Sequence, residues 1–364
     1  MSAAIKEISL ADRLRHRIAA EGPIRVSEYM DACNADARDG YYMSRQPIGA
    51  EGDFITAPEV SQIFGELLGL WCVAVWQSME APSSVTVAEF GPGRGTLLTD
   101  AIRAWGASAD FLRSVSTALV ETSPTLRQRQ AAALANVPMP LQWHASVAKI
   151  PDAPLIVLAN EFIDALPVRQ LVRRGENWHE RRIALDGYGD FIFVEGEEVA
   201  AGHLPPLPAP AADGEILETR PAVATLLAEL SARAARAPLA ALFVDYGHAE
   251  SACGETLQAV QRHRYADPLA SPGEADLSAH VDFAALKREA QAHGLIAYGP
   301  LPQGEFLLKL GLGARRDRLR QGATADQMVA VSSGAARLVD PRQMGIVFKV
   351  LALTSSALPP PPPF

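Results

Sequence analysis

An open α/β sheet of mostly parallel strands is the fold class this sequence predicts, and three stretches carry the prediction. In Val85–Trp105, Val85, Val87 and Phe90 read as a short buried strand. The turn Glu89-Phe90-Gly91-Pro92-Gly93-Arg94-Gly95 follows. Thr96 is then a fair helix N-cap, with Asp100 near the first turn and Leu97, Leu98, Ile102 and Trp105 as the apolar stripe. In the second stretch, Thr117–Val120 reads as a strand ending at Glu121. Ser123 as N-cap and Pro124 at the first helical position then start a polar helix to about Ala135. In the third, Leu155–Leu158 is a fully apolar strand leading into Ala159-Asn160-Glu161-Phe162-Ile163-Asp164. Consecutive strands that end in acidic or polar residues are what an open parallel sheet displays along its ligand-binding edge.

The glycine turn has the spacing G-x-G-x-G. Glycine accepts φ > 0 without a Cβ clash, so such a turn lets the backbone come close to a cofactor. The dinucleotide fingerprint is G-x-G-x-x-G, with its third glycine packing helix on strand around a pyrophosphate. The tighter spacing, with acidic Glu89 before it, looks instead like the S-adenosylmethionine turn of class I methyltransferases. Glu89, Gly91, Gly93, Gly95 and Thr96 are therefore the first cofactor candidates. Glu121, at the carboxyl end of the next strand, can accept two hydrogen bonds from a ribose diol. A capping or surface glutamate is the plainer alternative there.

The remaining elements follow in order. Ser9–Ala20 reads as an amphipathic helix with Leu10, Leu14 and Ile18 four apart. Gly22-Pro23-Ile24 breaks it, and Val26–Ala37 is a second helical stretch with Tyr29 and Met30 inward. Gly40–Gly52 reads as a loop. Thr56 and Glu59 have the spacing of a capping box for a core helix running to about Ser78, with Ile63, Phe64, Leu67, Leu68, Trp71 and Val75 along its stripe. The helix start at Thr56 can receive a carboxylate such as that of a methionine moiety, or can serve as a well-capped structural start. If Glu161–Leu166 makes a helical turn, Glu161 and Asp164 share one face. Arg169–Glu198 reads as an inserted antiparallel ribbon, His203–Gly214 as a proline-rich linker, Val223–Ala235 as a helix and Leu239–Val244 as a strand ending at Asp245. Glu250–Asp282 is a long polar loop segment. Late strands are expected at Glu305–Leu310 and Ile346–Ala352, with Ala314–Leu338 mostly helical and Ser355–Phe364 an extended tail. The expected organisation is a helical region over 1–79, a core over 80–353 with insertions at about 169–214 and 250–282, and a tail over 354–364.

Composition excludes several classes. The 33 basic and 42 acidic side chains give a formal charge of −9, without the basic footprint that phosphate neutralisation needs, so no nucleic-acid partner is expected. Arg315, Arg316, Arg318 and Arg320 read as a solvated helix face. The three cysteines are scattered, fit a reducing compartment and offer no metal-ligand spacing; His280 and Asp282 lack clustered partners, so no metal is expected. No apolar run approaches the roughly 20 residues of a bilayer span. The N-terminus lacks an apolar signal region and carries Glu7 and Asp12, from which a cytoplasmic location is expected.

Several longer stretches extend the likeness: Gly22-Pro23-Ile24 with Tyr29-Met30, Gly52–Gly65, Glu89–Leu97, Val120–Pro124, Ala159–Gln170, Asp245-Tyr246-Gly247 and Asp267–Phe283. Over about residues 10 to 353 the chain resembles the MidA-like methyltransferases, which are related to the mitochondrial complex I assembly factor that methylates a protein arginine. Ala159–Gln170 and the loop into Ala279-His280-Val281-Asp282-Phe283 are the specific parts; the glycine turn is common to class I methyltransferases. Ile163 stands where an aromatic residue is familiar. The resemblance implies a Rossmann-like class I methyltransferase sheet with an N-terminal helical region and an inserted β-ribbon and loop subdomain. It also implies S-adenosylmethionine as cofactor and a protein arginine as acceptor, with a complex I subunit as partner. On that basis Glu161 and Asp164 are candidates to grip the guanidinium, with Asn160 positioning, and Thr56 joins the cofactor set. An assembly chaperone on the same fold and a nicotinamide dehydrogenase are the alternatives.

Overall fold

The computed structural model describes residues 8–44, 55–200, 202, 204 and 211–364. The chain divides into two units. One gathers Met1–Phe54, Ala165–Ala222 and Ala252–His280, the other Ile55–Asp164, Val223–Ser251 and Val281–Phe364. The expected boundary at residue 79 therefore falls inside the second unit, and both expected insertions group with the N-terminal segment.

The second unit is built on an eight-stranded sheet among the described residues. Its strands, in chain order, are β1 (Val85–Phe90), β2 (Val115–Val120), β3 (Leu141–His144), β4 (Leu155–Asn160), β5 (Leu239–His248), β6 (Val281–Asp282), β7 (Ile296–Pro302) and β8 (Phe348–Thr354). The order is β7-β8-β5-β4-β1-β2-β3, with the short β6 beside the end of β5. Strands β3, β2, β1, β4 and β5 run parallel, and β8 is antiparallel to both its neighbours. The chain progresses one way from β1 to β3 and the other way from β4 to β5, so the strand order reverses between β1 and β4. A crevice outside the carboxyl ends at such a switch point is where open α/β sheets bind ligands. Every residue of β1 is buried, as the run Val85-Thr86-Val87-Ala88 anticipates for a strand covered on both faces.

Helix α2 (Gln62–Ser78) packs on α3 (Thr96–Trp105) closely enough that a Cβ on Gly69 would stand 2.7 Å from the Cα of Ala101. Trp105 donates its indole N–H to the Gly69 carbonyl at 3.0 Å across that contact. The single helix expected from Thr56 to Ser78 is interrupted. A four-residue turn, α1 (Ala57–Val60), stops at Ser61, whose backbone is extended at φ −161°. The Ser61 hydroxyl then accepts from Ile63 N and starts α2. The expected strand at Glu305–Leu310 lies in the helix Gln303–Lys309; Phe306 and Leu307 face inward, while Glu305 and Lys309 pair one turn apart at 2.7 Å. The strand precedes it, as β7. Helices at Leu312–Arg320 and Ala325–Val339 fill the expected helical region.

Two surface expectations also change. Arg315 is not simply solvated: it forms a fork on buried Glu66, Nε to Oε2 and NH2 to Oε1, both 2.7 Å. The C-terminal segment docks. Trp71 donates its indole N–H to the Pro362 carbonyl at 2.8 Å, Pro361 is buried, and the Phe364 ring lies 5.6 Å from that of Phe306. A proline-rich segment has carbonyls free to accept, and a buried indole requires an acceptor.

The first unit holds a helix at Leu10–Glu21, capped by the Ser9 hydroxyl on Asp12 N, with Leu10, Leu14 and Ile18 buried as their spacing predicts. Val26–Ala35 buries Tyr29 and Met30 fully. The expected ribbon is part of a five-stranded antiparallel sheet among the described residues, made of Ile24–Arg25, Arg169–Arg174, Asn177–Leu185, Phe191–Glu198 and Ile216–Thr219. Gln258–Gln261, Arg264–Ala266 and Asp276–Ser278 form a further small sheet within the segment read as a loop. Within the stretch read as the loop Gly40–Gly52, Tyr41–Ser44 form one helical turn; the rest, with Asp53 and Phe54, lies outside the described residues.

Candidate functional site

Three strands of the parallel sheet bring the candidate residues of the second unit to one edge. Phe90 at the end of β1 is in register with Val120 of β2 on one side and Ala159 of β4 on the other. The chain leaves those ends at Gly91, Glu121 and Asn160-Glu161.

Gly91, Gly93 and Gly95 all have left-handed backbone, at φ 59°, 52° and 83°. Three such residues in five positions demand glycine, because a Cβ in this region costs about 1–2 kcal/mol each. A Cβ on Gly91 would in addition stand 3.1 Å from the Phe162 ring. Gly95, not Thr96, is the N-cap of α3. Thr96 is the first helical residue, and its hydroxyl donates to Glu59 Oε1 at 2.5 Å, while Arg94 lies 3.6 Å from Glu59 Oε2. The capping box expected between Thr56 and Glu59 is thus absent: Thr56 caps α1 without a side-chain bond, and Glu59 reaches to the glycine turn.

Glu89 is buried at the end of β1. Burial pushes its carboxyl up to about 8, against the pull of one hydrogen bond from Leu98 N, and Oε2 has no hydrogen-bond partner among the described residues. Glu121 is also buried. Its Oε1 accepts from Ser123 N at 2.8 Å and its Oε2 from Gln130 Nε2 at 3.1 Å. Burial raises its pKa, opposed first by the Ser123 N–H and then by Gln130. Gln130 was not legible as a site residue, since a lone glutamine on a polar helix carries no pattern. On α4 (Pro124–Ala133) it is fully buried, and its amide also donates to the Gly93 carbonyl at 2.9 Å.

At the end of β4, Glu161–Leu166 does not form the helical turn expected of it. Glu161 itself is left-handed at φ 48°, a strained position for a residue with a side chain. Its Oε1 accepts from Asn160 Nδ2 at 3.0 Å and from Ala57 N at 3.1 Å. The N–H at the start of α1, which could receive a ligand carboxylate or serve a structural cap, meets this carboxylate. Burial raises the Glu161 carboxyl to about 7; the Ala57 N–H opposes this and the negative charge of Asp164 adds to it. Asp164 is buried nearby, and its N–H and that of Ile163 donate to Asp245 Oδ2 at 3.1 and 2.9 Å. Asp245, at the same carboxyl edge on β5, holds this turn in place of helical bonds. Its position at a strand end was the available signal.

These features fit an adenosyl sulfonium cofactor: a left-handed glycine turn, a Glu121 carboxylate fixed by two hydrogen bonds, and buried acceptor atoms, Glu89 Oε2 and Asn160 Oδ1, without partners among the described residues. Among those residues no group of three or more histidine, cysteine, aspartate or glutamate side chains is arranged to hold a metal, and no helix is long and apolar enough to cross a membrane.

The chain is similar to several known proteins. A family model described as an S-adenosyl-L-methionine-dependent methyltransferase matches residues 67–301. The Drosophila melanogaster protein named protein arginine methyltransferase NDUFAF7 homolog, mitochondrial, is 37% identical over 96% of this chain and 86% of its own length. The Homo sapiens protein named protein arginine methyltransferase NDUFAF7, mitochondrial, is 32% identical over 93% and 82%. A Burkholderia thailandensis protein solved bound to S-adenosyl-homocysteine superposes with a TM-score of 0.83 at 28% identity, over 96% of this chain and 92% of that one. The mitochondrial names of the relatives overturn the expectation of a cytoplasmic location, which a charge count at the N-terminus had no power to establish. The nicotinamide alternative falls with the family match.

Proposed function

Because this chain belongs to the family of S-adenosyl-L-methionine-dependent methyltransferases, we propose that it methylates an arginine of a protein partner, a subunit of respiratory complex I. The carboxylate pair Glu161 and Asp164 at the end of β4 is the observation that carries the reading, together with the names of the relatives.

S-adenosylmethionine supplies a methyl group on a sulfonium, an electrophile that needs no activation by the protein. Gly91, Gly93 and Gly95 admit the cofactor against the backbone, and Glu121 receives the ribose hydroxyls. Thr96 follows the turn as the first residue of α3, and Thr56 caps α1, whose Glu59 reaches Thr96. The chain's remaining task lies on the acceptor side. A guanidinium stays protonated in water, with a pKa above about 12, and its lone pair is delocalised. Two carboxylates placed on the fork of its N–H groups fix the plane of the acceptor and localise density on the nitrogen to be methylated. Glu161 Oε1 already accepts from Ala57 and Asn160, which leaves Oε2 for an incoming N–H. A carboxylate raised to about 7 is also a suitable store for the proton that the methylated nitrogen sheds. Orienting the acceptor nitrogen toward the methyl group would supply most of the acceleration.

The test incubates the full chain with methyl-labelled cofactor and isolated complex I subunits, then hydrolyses the products to amino acids. Label recovered as methylarginine from one subunit, and absent after Arg→Lys substitution in that subunit, supports the reading. Label confined to a metabolite or nucleobase rejects it.

A further inference from the structure

Two buried side chains, Glu121 and Gln130, and a partly buried one, Trp143, meet beside the glycine turn, and their donors and acceptors match in only one way. Trp143, on β3, can only donate through its indole nitrogen, and it donates to Gln130 Oε1 at 2.9 Å. That contact fixes which end of the Gln130 amide is oxygen. The two hydrogens on Nε2 then fall on the Gly93 carbonyl at 2.9 Å and on Glu121 Oε2 at 3.1 Å. Turning the amide over would set oxygen against two acceptors and nitrogen against a donor. One primary amide thus satisfies three partners, and two of them belong to the parts expected to hold the cofactor, the glycine turn and the ribose carboxylate.

We propose that Gln130, oriented by Trp143, is the positioning residue that sets cofactor affinity by holding the Glu121 carboxylate in line with the glycine turn. The inference rests on the assignment of Glu121 to the ribose. Gln130 is fully buried, so it acts through Glu121 and Gly93 and not by touching cofactor from solvent. Its donor also favours the ionised form of Glu121 against the burial that raises that carboxyl. Among the described residues, the other charged or titratable groups around Glu121 are Arg127, whose Nε donates to the Glu121 carbonyl at 2.8 Å, and His144, whose carbonyl accepts from Glu121 N at 3.0 Å. Burial lowers the His144 pKa, with Arg127 adding to that. Neither replaces the bond on Oε2. Removing Gln130's donor therefore raises the Glu121 pKa, and affinity that depends on the ionised carboxylate is lost at higher pH than in the parent.

The experiment titrates the full chain with S-adenosyl-homocysteine by calorimetry between pH 5 and 8. Gln130→Met, which keeps length without donors, is expected to weaken binding by roughly ten- to a hundredfold, the scale of a hydrogen bond to a charged group. Its acid midpoint for binding is expected to move upward. Trp143→Phe, which removes only the orienting donor, is expected to weaken binding less and in the same direction, and serves if Gln130→Met does not fold. Leu126→Ala, a core truncation on the same helix, controls for simple destabilisation: it is expected to lower the melting temperature without moving the midpoint. In a double-mutant cycle with Glu121→Ala, the effect of Gln130→Met is expected to shrink, because coupled residues are non-additive. Additive effects, or unchanged affinity and midpoint in Gln130→Met and Trp143→Phe, overturn the inference while Glu121→Ala still weakens binding. If Glu121→Ala itself binds as the parent does, the ribose assignment fails and this inference with it.

Discussion

Glu161 accepts the backbone N–H of Ala57 on Oε1 at 3.1 Å while its own backbone is left-handed at φ 48°. A carboxylate at the end of β4 is thereby tied to the turn that begins at Thr56. Strain in the main chain, a half-buried acidic group and a single backbone donor coincide at one residue, the combination expected where geometry serves chemistry more than stability.

The pH dependence of turnover follows. With the Glu161 carboxyl raised to about 7 by burial and by Asp164, and with Arg337 the opposing positive group, the fraction able to grip a guanidinium grows as pH rises through that value. Turnover under saturating cofactor is expected to rise across about pH 6 to 8. Glu161→Gln keeps an oxygen for Ala57 N and should remove this limb, lowering kcat by about a hundredfold or more, the scale of a lost acid–base group. A parent profile that is flat over this interval counts against the assignment.

The glycine turn admits a direct challenge. Gly93→Val places a branched Cβ at φ 52°, which costs about 1–2 kcal/mol in backbone strain and blocks approach to the turn. Binding of S-adenosyl-homocysteine should be lost in calorimetry while circular dichroism stays that of the parent. Parent-like affinity would mean that the turn lies away from the cofactor.

Glu89 makes stability depend on pH. Its folded-state value of about 8 exceeds the usual 4.5, so between these limits the folded protein binds more protons than the unfolded one. Its contribution is present below about 4.5 and is lost as pH rises to about 8, at up to about 1.4 kcal/mol per pH unit. Glu89→Gln cannot ionise and should flatten that fall, as read from urea midpoints at pH 5 and pH 8. Equal slopes in both proteins would show that the group ionises freely in the fold.

Removing the docked C-terminus should destabilise the second unit. A chain ending at Ser356 leaves the Trp71 indole N–H buried without the Pro362 carbonyl and uncovers the surface under Phe364. An unpaired buried donor costs about 1–3 kcal/mol, and with the lost ring packing the melting temperature should fall by roughly 5–10 °C. No change by calorimetry would show that the segment contributes nothing.

Much of this was legible in the sequence wherever a local pattern decides the structure. The strand, glycine turn and helix over Val85–Trp105, the Ser123-Pro124 helix start, and the burial of Leu10, Leu14 and Ile18 all follow from period, cap and turn chemistry. The failures came where a distant partner decides. Thr56 and Glu59 have capping-box spacing, but Thr96 and Arg94 recruit Glu59. The stretch Glu305–Leu310 is the local exception, a helix whose period places Glu305 and Lys309 together outside. A proline-rich end that reads as an extended tail is docked, because the Trp71 indole takes the Pro362 carbonyl. Gln130 left no trace, since a lone glutamine on a polar helix does not announce its bonds with Trp143, Gly93 and Glu121.

Whether Glu161 serves methyl transfer to a protein arginine is decided by product analysis of the purified chain and its Glu161→Gln variant. Both are given methyl-labelled S-adenosylmethionine and complex I subunits, with S-adenosyl-homocysteine affinity measured on the same preparations. Methylarginine is expected from the parent and little or none from the variant, with cofactor affinity retained in both. Methylarginine formed equally by both proteins, or label appearing only outside protein arginine, would contradict this assignment.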